Sequence, residues 1–170
     1  MKLIFADNTF TGIYTENTGN RVDFKKLKEE LDPDYSPKFF FQKNDTIGWP
    51  TYNHLVKTIE DLGWEVYRPV GQSISKLSYT PVMEMSKLIA EVMAEAEKTL
   101  EHKEEVEFIF CINSLSYAPF IKTLKRRYPY ISLTLVCDLE TVNDDLEKQF
   151  DCVRDMYALD IAYTDVEEAV

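Results

Sequence analysis

Three sets of residues in this chain have types and spacing that could do chemistry. Asp7 closes the apolar run Leu3 to Ala6. Asn113, Ser114 and Ser116 form a small polar turn between the apolar run Phe108 to Cys111 and a stretch with Phe120, Ile121 and Leu124 at helical spacing. Asp138 and Glu140 stand directly behind the apolar run Ile131 to Cys137. In an open parallel sheet, residues just after a strand lie at the carboxyl edge, where ligands bind. Carboxylates gathered there would hold a divalent cation, because hard cations want several oxygen ligands. The metal would polarise a phosphoryl oxygen and activate water. A metal-dependent nuclease would want aspartates in the Asn113 to Ser116 turn, and this turn offers two serines. A serine nucleophile needs a histidine base. His54 falls in a helical stretch and His102 at a charged helix end, so neither stands behind a strand.

Other charged groups have simpler readings. Glu84 and Glu91 are seven residues apart and share one helix face, either at the sheet mouth or as a solvated flank. Ser114 and Ser116 also suit caps on the following helix. Asp144 and Asp145 open a short helix, where acids favour the dipole. Lys125, Arg126 and Arg127 form the one tight basic cluster, a candidate for phosphate contact, although a helix C-terminus attracts cations anyway. Lys25, Lys26 and Lys28 are interleaved with acids, as on a solvated face. Tyr14, Trp49, Tyr52 and Tyr79 could stack on bases or cover the core. No Gly-x-Gly-x-x-Gly or Walker loop supports a nucleotide cofactor.

The elements that must position these groups alternate. Strands are expected over Lys2 to Ala6, Lys38 to Gln42, Trp64 to Pro69, Glu107 to Ile112, Ile131 to Cys137 and Met156 to Ala162. Helices are expected over Phe24 to Leu31, Tyr52 to Leu62, Val82 to Leu100, Pro119 to Tyr128 and Val142 to Phe150. Asn44 to Pro50 reads as a turn, Gly71 to Thr80 as a polar loop, and Asp165 to Val170 as an acidic tail behind a single domain over 1–164. Alternating strands and helices predict a three-layer α/β/α sandwich with a mainly parallel sheet of five or six strands.

Composition sets the bounds. The 170 residues fit one domain, and 45% apolar content with 13% aromatic is ample for a core. A net charge of −11 works against generic attraction to nucleic acid or anionic membranes, though a local basic patch or bound divalent metal could overcome it. Cys111 and Cys137 lie in apolar runs and read as reduced core thiols; no Cys-x-x-Cys pair occurs. The apolar start MKLIFADN is too short for a signal peptide, and no run approaches a membrane span. A cytoplasmic protein is the expectation.

Several stretches, in this order, resemble the NYN family, a branch of the PIN-like nucleases that includes the LabA-like proteins. They are LIFADNTF, VDFKKLKEEL, KFFFQK, HLVKTIEDLGWEVYRPV, EFIFCINSLSYAPFIKTLKRR and ISLTLVCD, and together they span nearly the whole chain. The resemblance implies a cluster of acids at the carboxyl edge that holds magnesium or manganese and cleaves RNA. Asp7 matches the first acid. An Asn usual three positions later is Phe10 here, with Asn8 beside the acid. The family turn Ser-Gly-Asp-Gly-Asp-Phe falls on Ile112 to Tyr117, so both aspartates have become Ser114 and Ser116. No aspartate stands near Ser78 to Met85, where the family has one before its long helix, although Glu84 or Glu91 could reach the mouth. Asp151 or Asp155 would match a late family acid.

Three expectations follow. The first is an NYN/PIN-like domain, catalytically weak or inactive, that binds RNA or a protein partner and needs no cofactor. The second is an active ribonuclease with magnesium or manganese on a rearranged set such as Asp7, Glu84 and Asp138, with Glu91. The third is a receiver-like or flavodoxin-like signalling module, for which neither the paired acids after the first strand nor the late lysine can be placed. The expected partners are RNA, a protein or a second copy of the chain, and no membrane. The first leads, because carboxylates clustered without metal are costly and a site that gives up metal sheds them. It predicts that Asp7→Asn leaves stability unchanged or improved.

Overall fold

The computed structural model describes residues 1–41, 49–68, 80–99 and 106–164. Most of the expected turn before Pro50, the loop over 71–79 with Tyr79, His102 and the tail over 165–170 lie outside the described residues. The strands are β1 (Lys2–Asp7), β2 (Lys38–Phe40), β3 (Glu65–Tyr67), β4 (Glu107–Cys111), β5 (Ser132–Cys137) and β6 (Cys152–Asp155). The helices are α1 (Asn8–Thr18), α2 (Phe24–Leu31), α3 (Trp49–Asp61), α4 (Pro81–Thr99), α5 (Ala118–Arg127) and α6 (Asp144–Glu147). All six strands run parallel in the order β3-β2-β1-β4-β5-β6. This is the expected three-layer α/β/α sandwich. Its order differs from the 2-1-3-4-5 of flavodoxin-like sheets.

Strand alternation divides the core between two faces. Leu3 and Phe5 of β1, Phe108 and Phe110 of β4, and Leu133 and Leu135 of β5 pack with Met85, Ile89 and Met93 of α4 and Ile121 of α5. Ile4, Ala6, Ile109, Cys111 and Val136 turn the other way, against Phe10 of α1, Leu27 and Leu31 of α2, and Val56 and Ile59 of α3. The central strands are buried on both sides, so they read as continuous apolar runs in the sequence.

Local signals account for α2. Asp23 Oδ1 accepts from the Lys25 and Lys26 amides at 2.9 and 3.2 Å, and Asp32 ends the helix in the left-handed region with φ 48°. The interior of helix α1 carries no such advertisement. Its sequence, NTFTGIYTENT, is rich in threonine and contains glycine, both poor helix formers. It forms because Asp7 caps it, Gly19 (φ 73°) closes it, and Phe10 and Tyr14 are buried beneath it.

Two expected boundaries are corrected. Trp49 and Pro50 begin α3 rather than end a turn, as suits a proline in the first helical turn. The last strand is Cys152–Asp155, and Met156–Ala158 is a 3₁₀ turn rather than the start of a strand. Met156, Leu159 and Ile161 are apolar because they bury under the face carrying α1 and α2, not because they pair in the sheet. Ile161 instead accepts from the Asp23 amide at 2.7 Å, tying the end of the described chain to the start of α2. An outer strand needs only one covered face, so β6 leaves Cys152 and Arg154 in solvent and escapes an apolar search.

The thiols follow this layout. Cys111 and Cys137 are buried and Cys152 is exposed. Burial pushes the Cys137 thiol up to about 12, and burial followed by the Asp7 charge raises that of Cys111. Only a thiolate attacks an aromatic disulfide reagent. The native protein is therefore expected to titrate rapidly at Cys152 alone, a signal that Cys152→Ser removes, and to release the other two thiols only on unfolding. Rapid native reaction in the Cys152→Ser variant would contradict this packing.

Candidate functional site at the carboxyl edge of the sheet

The strand order reverses between β1 and β4. Helix α1 leaves β1 toward one face, while the chain leaves β4 through a 3₁₀ turn, Leu115–Tyr117, and α5 on the other. The crevice between these exits is where doubly wound folds bind ligands. Asp7 stands in it, fully buried. Its Oδ1 accepts from the Thr9 amide at 3.1 Å, the Thr9 hydroxyl at 2.5 Å and the Phe10 amide at 3.1 Å. Its Oδ2 accepts from the Tyr117 hydroxyl at 2.6 Å. Asp7 therefore fills the anion position at the α1 N-terminus with its own carboxylate. Through Tyr117, itself fully buried, it also ties together the two loops that flank the crevice.

Ser114 caps the 3₁₀ turn. Its Oγ accepts from the Ser116 amide at 3.3 Å and lies 2.8 Å from Ser116 Oγ. Ser114 alone takes a capping role, and on this turn rather than on α5, whose N-cap is Tyr117 without a side-chain bond; both serines sit on the rim rather than around Asp7. His54 is exposed on α3.

Asp138 is buried behind β5, two strand spacings from Asp7, roughly 10 Å. Its Oδ1 accepts from the Glu140 amide at 3.1 Å. Its Oδ2 accepts from the Thr141 hydroxyl at 2.7 Å and from Asn17 Nδ2 at 3.3 Å. Asn113 supports the same loop: its Oδ1 accepts from the Asp138 amide at 3.0 Å and its Nδ2 donates to Thr141 at 3.2 Å. Beside them opens a groove of about 480 Å³, lined by Asn17 and Thr18 from α1, Asp138 to Thr141 behind β5, Asp155 at the end of β6 and Tyr157 behind it. Asn17 Nδ2 also donates to the Tyr157 hydroxyl at 2.6 Å, and the Tyr157 ring stacks on Tyr14 at 6.0 Å. Burial, then Asp160, then Tyr157 raise the pKa of Tyr14.

The remaining candidates lie elsewhere. Glu84 pairs with Lys87 at 3.7 Å in the first turn of α4. Burial, then Glu65, then Glu84 and Glu91 push the Tyr67 hydroxyl up. Lys125, Arg126 and Arg127 occupy the last turn of α5, at the amino edge, the far end of the sheet from Asp7. Lys125 is paired there with Asp151, and Arg127 lies over the Tyr128 ring, 5.8 Å from its centroid. Burial raises the Asp151 carboxyl, but Lys125 and the Leu133 amide outweigh it and hold it below its usual value. Asp144 and Asp145 open α6, and Asp145 pairs with Lys148 at 2.8 Å.

The resemblance implies a divalent cation, and the donor set does not fit one. Among the described residues no group of three or more His, Cys, Asp or Glu side chains is placed to hold a metal ion. Asp7, Glu84 and Asp138 come from separate parts of the edge, and Asp7 is engaged by hydrogen-bond donors on both oxygens. A hard cation would want those oxygens.

Tyr117, Asn17 and Tyr157 shape this edge without being site candidates in the sequence, whereas Asp155 stood there as a possible late family acid. Tyr117 carried a faint signal, as the last residue of the turn that resembles the family motif. Asn17 and Tyr157 carried none, because they meet only when α1 and the segment behind β6 fold onto one face.

No protein-family model matches the chain, and no curated protein matches it in sequence. Among solved structures it is similar to VPA0982, a protein of unknown function from Vibrio parahaemolyticus. The TM-score is 0.63 at 11% identity, covering 91% of this chain and 92% of that one. At that identity the likeness shows the fold alone. No helix among the described residues is long and apolar enough to cross a membrane. What the chain is therefore rests on its architecture: a doubly wound, all-parallel α/β domain with a hydrogen-bonded Asp7–Tyr117 pair where the strand order reverses.

Proposed function

We propose that this chain is a non-hydrolytic domain of PIN/NYN type that acts by binding a protein partner. The observation that carries the reading is the state of Asp7, buried with donors on both carboxylate oxygens. Recruiting Asp7 to a cation would break the bond it accepts from the Tyr117 hydroxyl and uncap α1, each costing about 1–3 kcal/mol. Serines at the two turn positions support the same reading, since neutral hydroxyls are weak partners for a hard cation. A protein is favoured over RNA by the net charge of −11, by the carboxylates in the groove behind β5 and β6, and by the distance of the basic cluster from that edge. The strand order speaks against the receiver-like alternative.

The test is a cleavage assay on labelled single-stranded RNA with manganese. Cleavage is expected to stay at the level of the chelator control. Manganese-dependent cleavage that Asp7→Asn abolishes would overturn the proposal in favour of a ribonuclease. Strongly salt-dependent RNA binding centred on Lys125 to Arg127 would make RNA the partner.

A further inference from the structure

Three successive loops at the carboxyl edge each expose a large apolar side chain: Leu115 behind β4 (47% exposed), Leu139 behind β5 (46%) and Tyr157 behind β6 (37%). Exposed hydrophobes are ordinary when scattered, but a row of them along one edge marks an interaction surface. Leu139 and Tyr157 of this row line the 480 Å³ groove, which contributes Asp138, Glu140 and Asp155, with no lysine or arginine among its described lining residues. Resting on the binding reading above, we infer that this edge docks an arginine-bearing, leucine-rich segment of a partner protein. Apolar side chains of that segment would cover Leu139 and Leu115, and a guanidinium would enter the groove.

The groove is preorganised for such a guest. Tyr157 is held on one side by its stack on Tyr14 and at its hydroxyl by Asn17, so its ring is a fixed platform. A guanidinium over a tyrosine face gains a cation–π contact, and arginine prefers this arrangement over lysine. Asp155 Oδ1 is steadied by the Tyr157 amide at 3.1 Å, and Glu140 is exposed beside it. Asn17 Nδ2 already donates to Asp138, which leaves the Glu140 and Asp155 carboxylates as the natural acceptors for the incoming cation. A polyanion meets only like charge in this groove, so RNA is a poor occupant.

The inference can be read on the full chain by amide NMR, titrated with three synthetic peptides. One alternates arginine and leucine, one replaces arginine by glutamate, and one replaces leucine by serine. The arginine–leucine peptide is expected to shift the Leu139, Glu140 and Tyr157 amides and to bind at least about tenfold tighter than either control. Glu140→Gln with Asp155→Asn should weaken it about fivefold, the size expected for two rim charge pairs, while Asp155→Asn keeps the cap on Tyr157. Equal binding of the glutamate or serine peptide, shifts confined to Lys125 to Arg127, or no shifts at all would overturn the inference. So would concentration-dependent self-association that blocks the edge, which would make a second copy the occupant. Peptide failure with RNA left uncut defeats this docking surface alone, whereas manganese-dependent cleavage defeats the reading beneath it.

Discussion

Asp7→Ala is expected to destabilise the protein by about 3 kcal/mol, lowering the midpoint of thermal unfolding by roughly 10 °C for a chain of this size. The substitution uncaps α1, since the Thr9 and Phe10 amides and the Thr9 hydroxyl lose their acceptor. It also removes the acceptor to which the buried Tyr117 hydroxyl donates at 2.6 Å. Tyr117→Phe removes donor and desolvation cost together and should lose about 1–2 kcal/mol. The double variant should then lose less than the sum of the two, because both single variants break the same hydrogen bond. Asp7→Asn keeps a cap acceptor but gives up the charge-assisted bond to Tyr117, so a loss of about 1–2 kcal/mol is expected. This reverses the sequence-based expectation that Asp7→Asn would be neutral or beneficial. That expectation treats Asp7 as a residual ligand, whereas the structure makes it part of the scaffold. Denaturant unfolding of the four variants decides the matter. If Asp7→Ala matches the parent protein, the Asp7–Tyr117 tie contributes nothing and the reading of this crevice is wrong.

Phe110→Ala should cost about 4 kcal/mol, in the range for a fully buried aromatic truncated to alanine. Phe110 lies at the centre of the sheet on the α4–α5 face. Its ring stacks on Phe5 at 5.2 Å and meets Phe120 at 6.2 Å and Phe150 at 6.0 Å edge-on. One side chain thus links β1, β4, α5 and the segment behind α6. No single neighbour can collapse into the space, which is why the cavity cost should approach its full value. Leu139→Ala at the exposed edge is the matched control and should change stability by no more than about 0.5 kcal/mol. A loss below about 1.5 kcal/mol for Phe110→Ala would mean this face repacks freely.

These two residues show what could be read in advance. Phe110 was legible, because it sits in a run that is apolar on both faces, and such runs occur where a parallel strand is covered twice. Helix α2 was legible down to its ends, because Asp23, Leu27, Leu31 and Asp32-Pro33 are local signals within one element. Helix α1 was not, because its own residues favour helix weakly and its stability comes from Asp7 and the core beneath. Strand β6 was displaced by one segment, because an outer strand needs little hydrophobicity and the apolar residues just behind it face a different layer.

The site divides in the same way. Asp7 at the end of β1, the serine turn behind β4 and Asp138 behind β5 all follow from one rule, that residues after parallel strands gather at the carboxyl edge. The sequence by itself determined that edge, the layered α/β class and the acidic charge, since these depend on periodicity and composition along the chain. Only the tertiary structure decided what the acids there do. Asp7 is engaged by Tyr117, 110 positions away, Asp138 by Asn17, 121 away, and Glu84 by Lys87 on its own helix. A carboxylate's role depends on which donors reach it through space, and that is set by packing rather than by position in the chain.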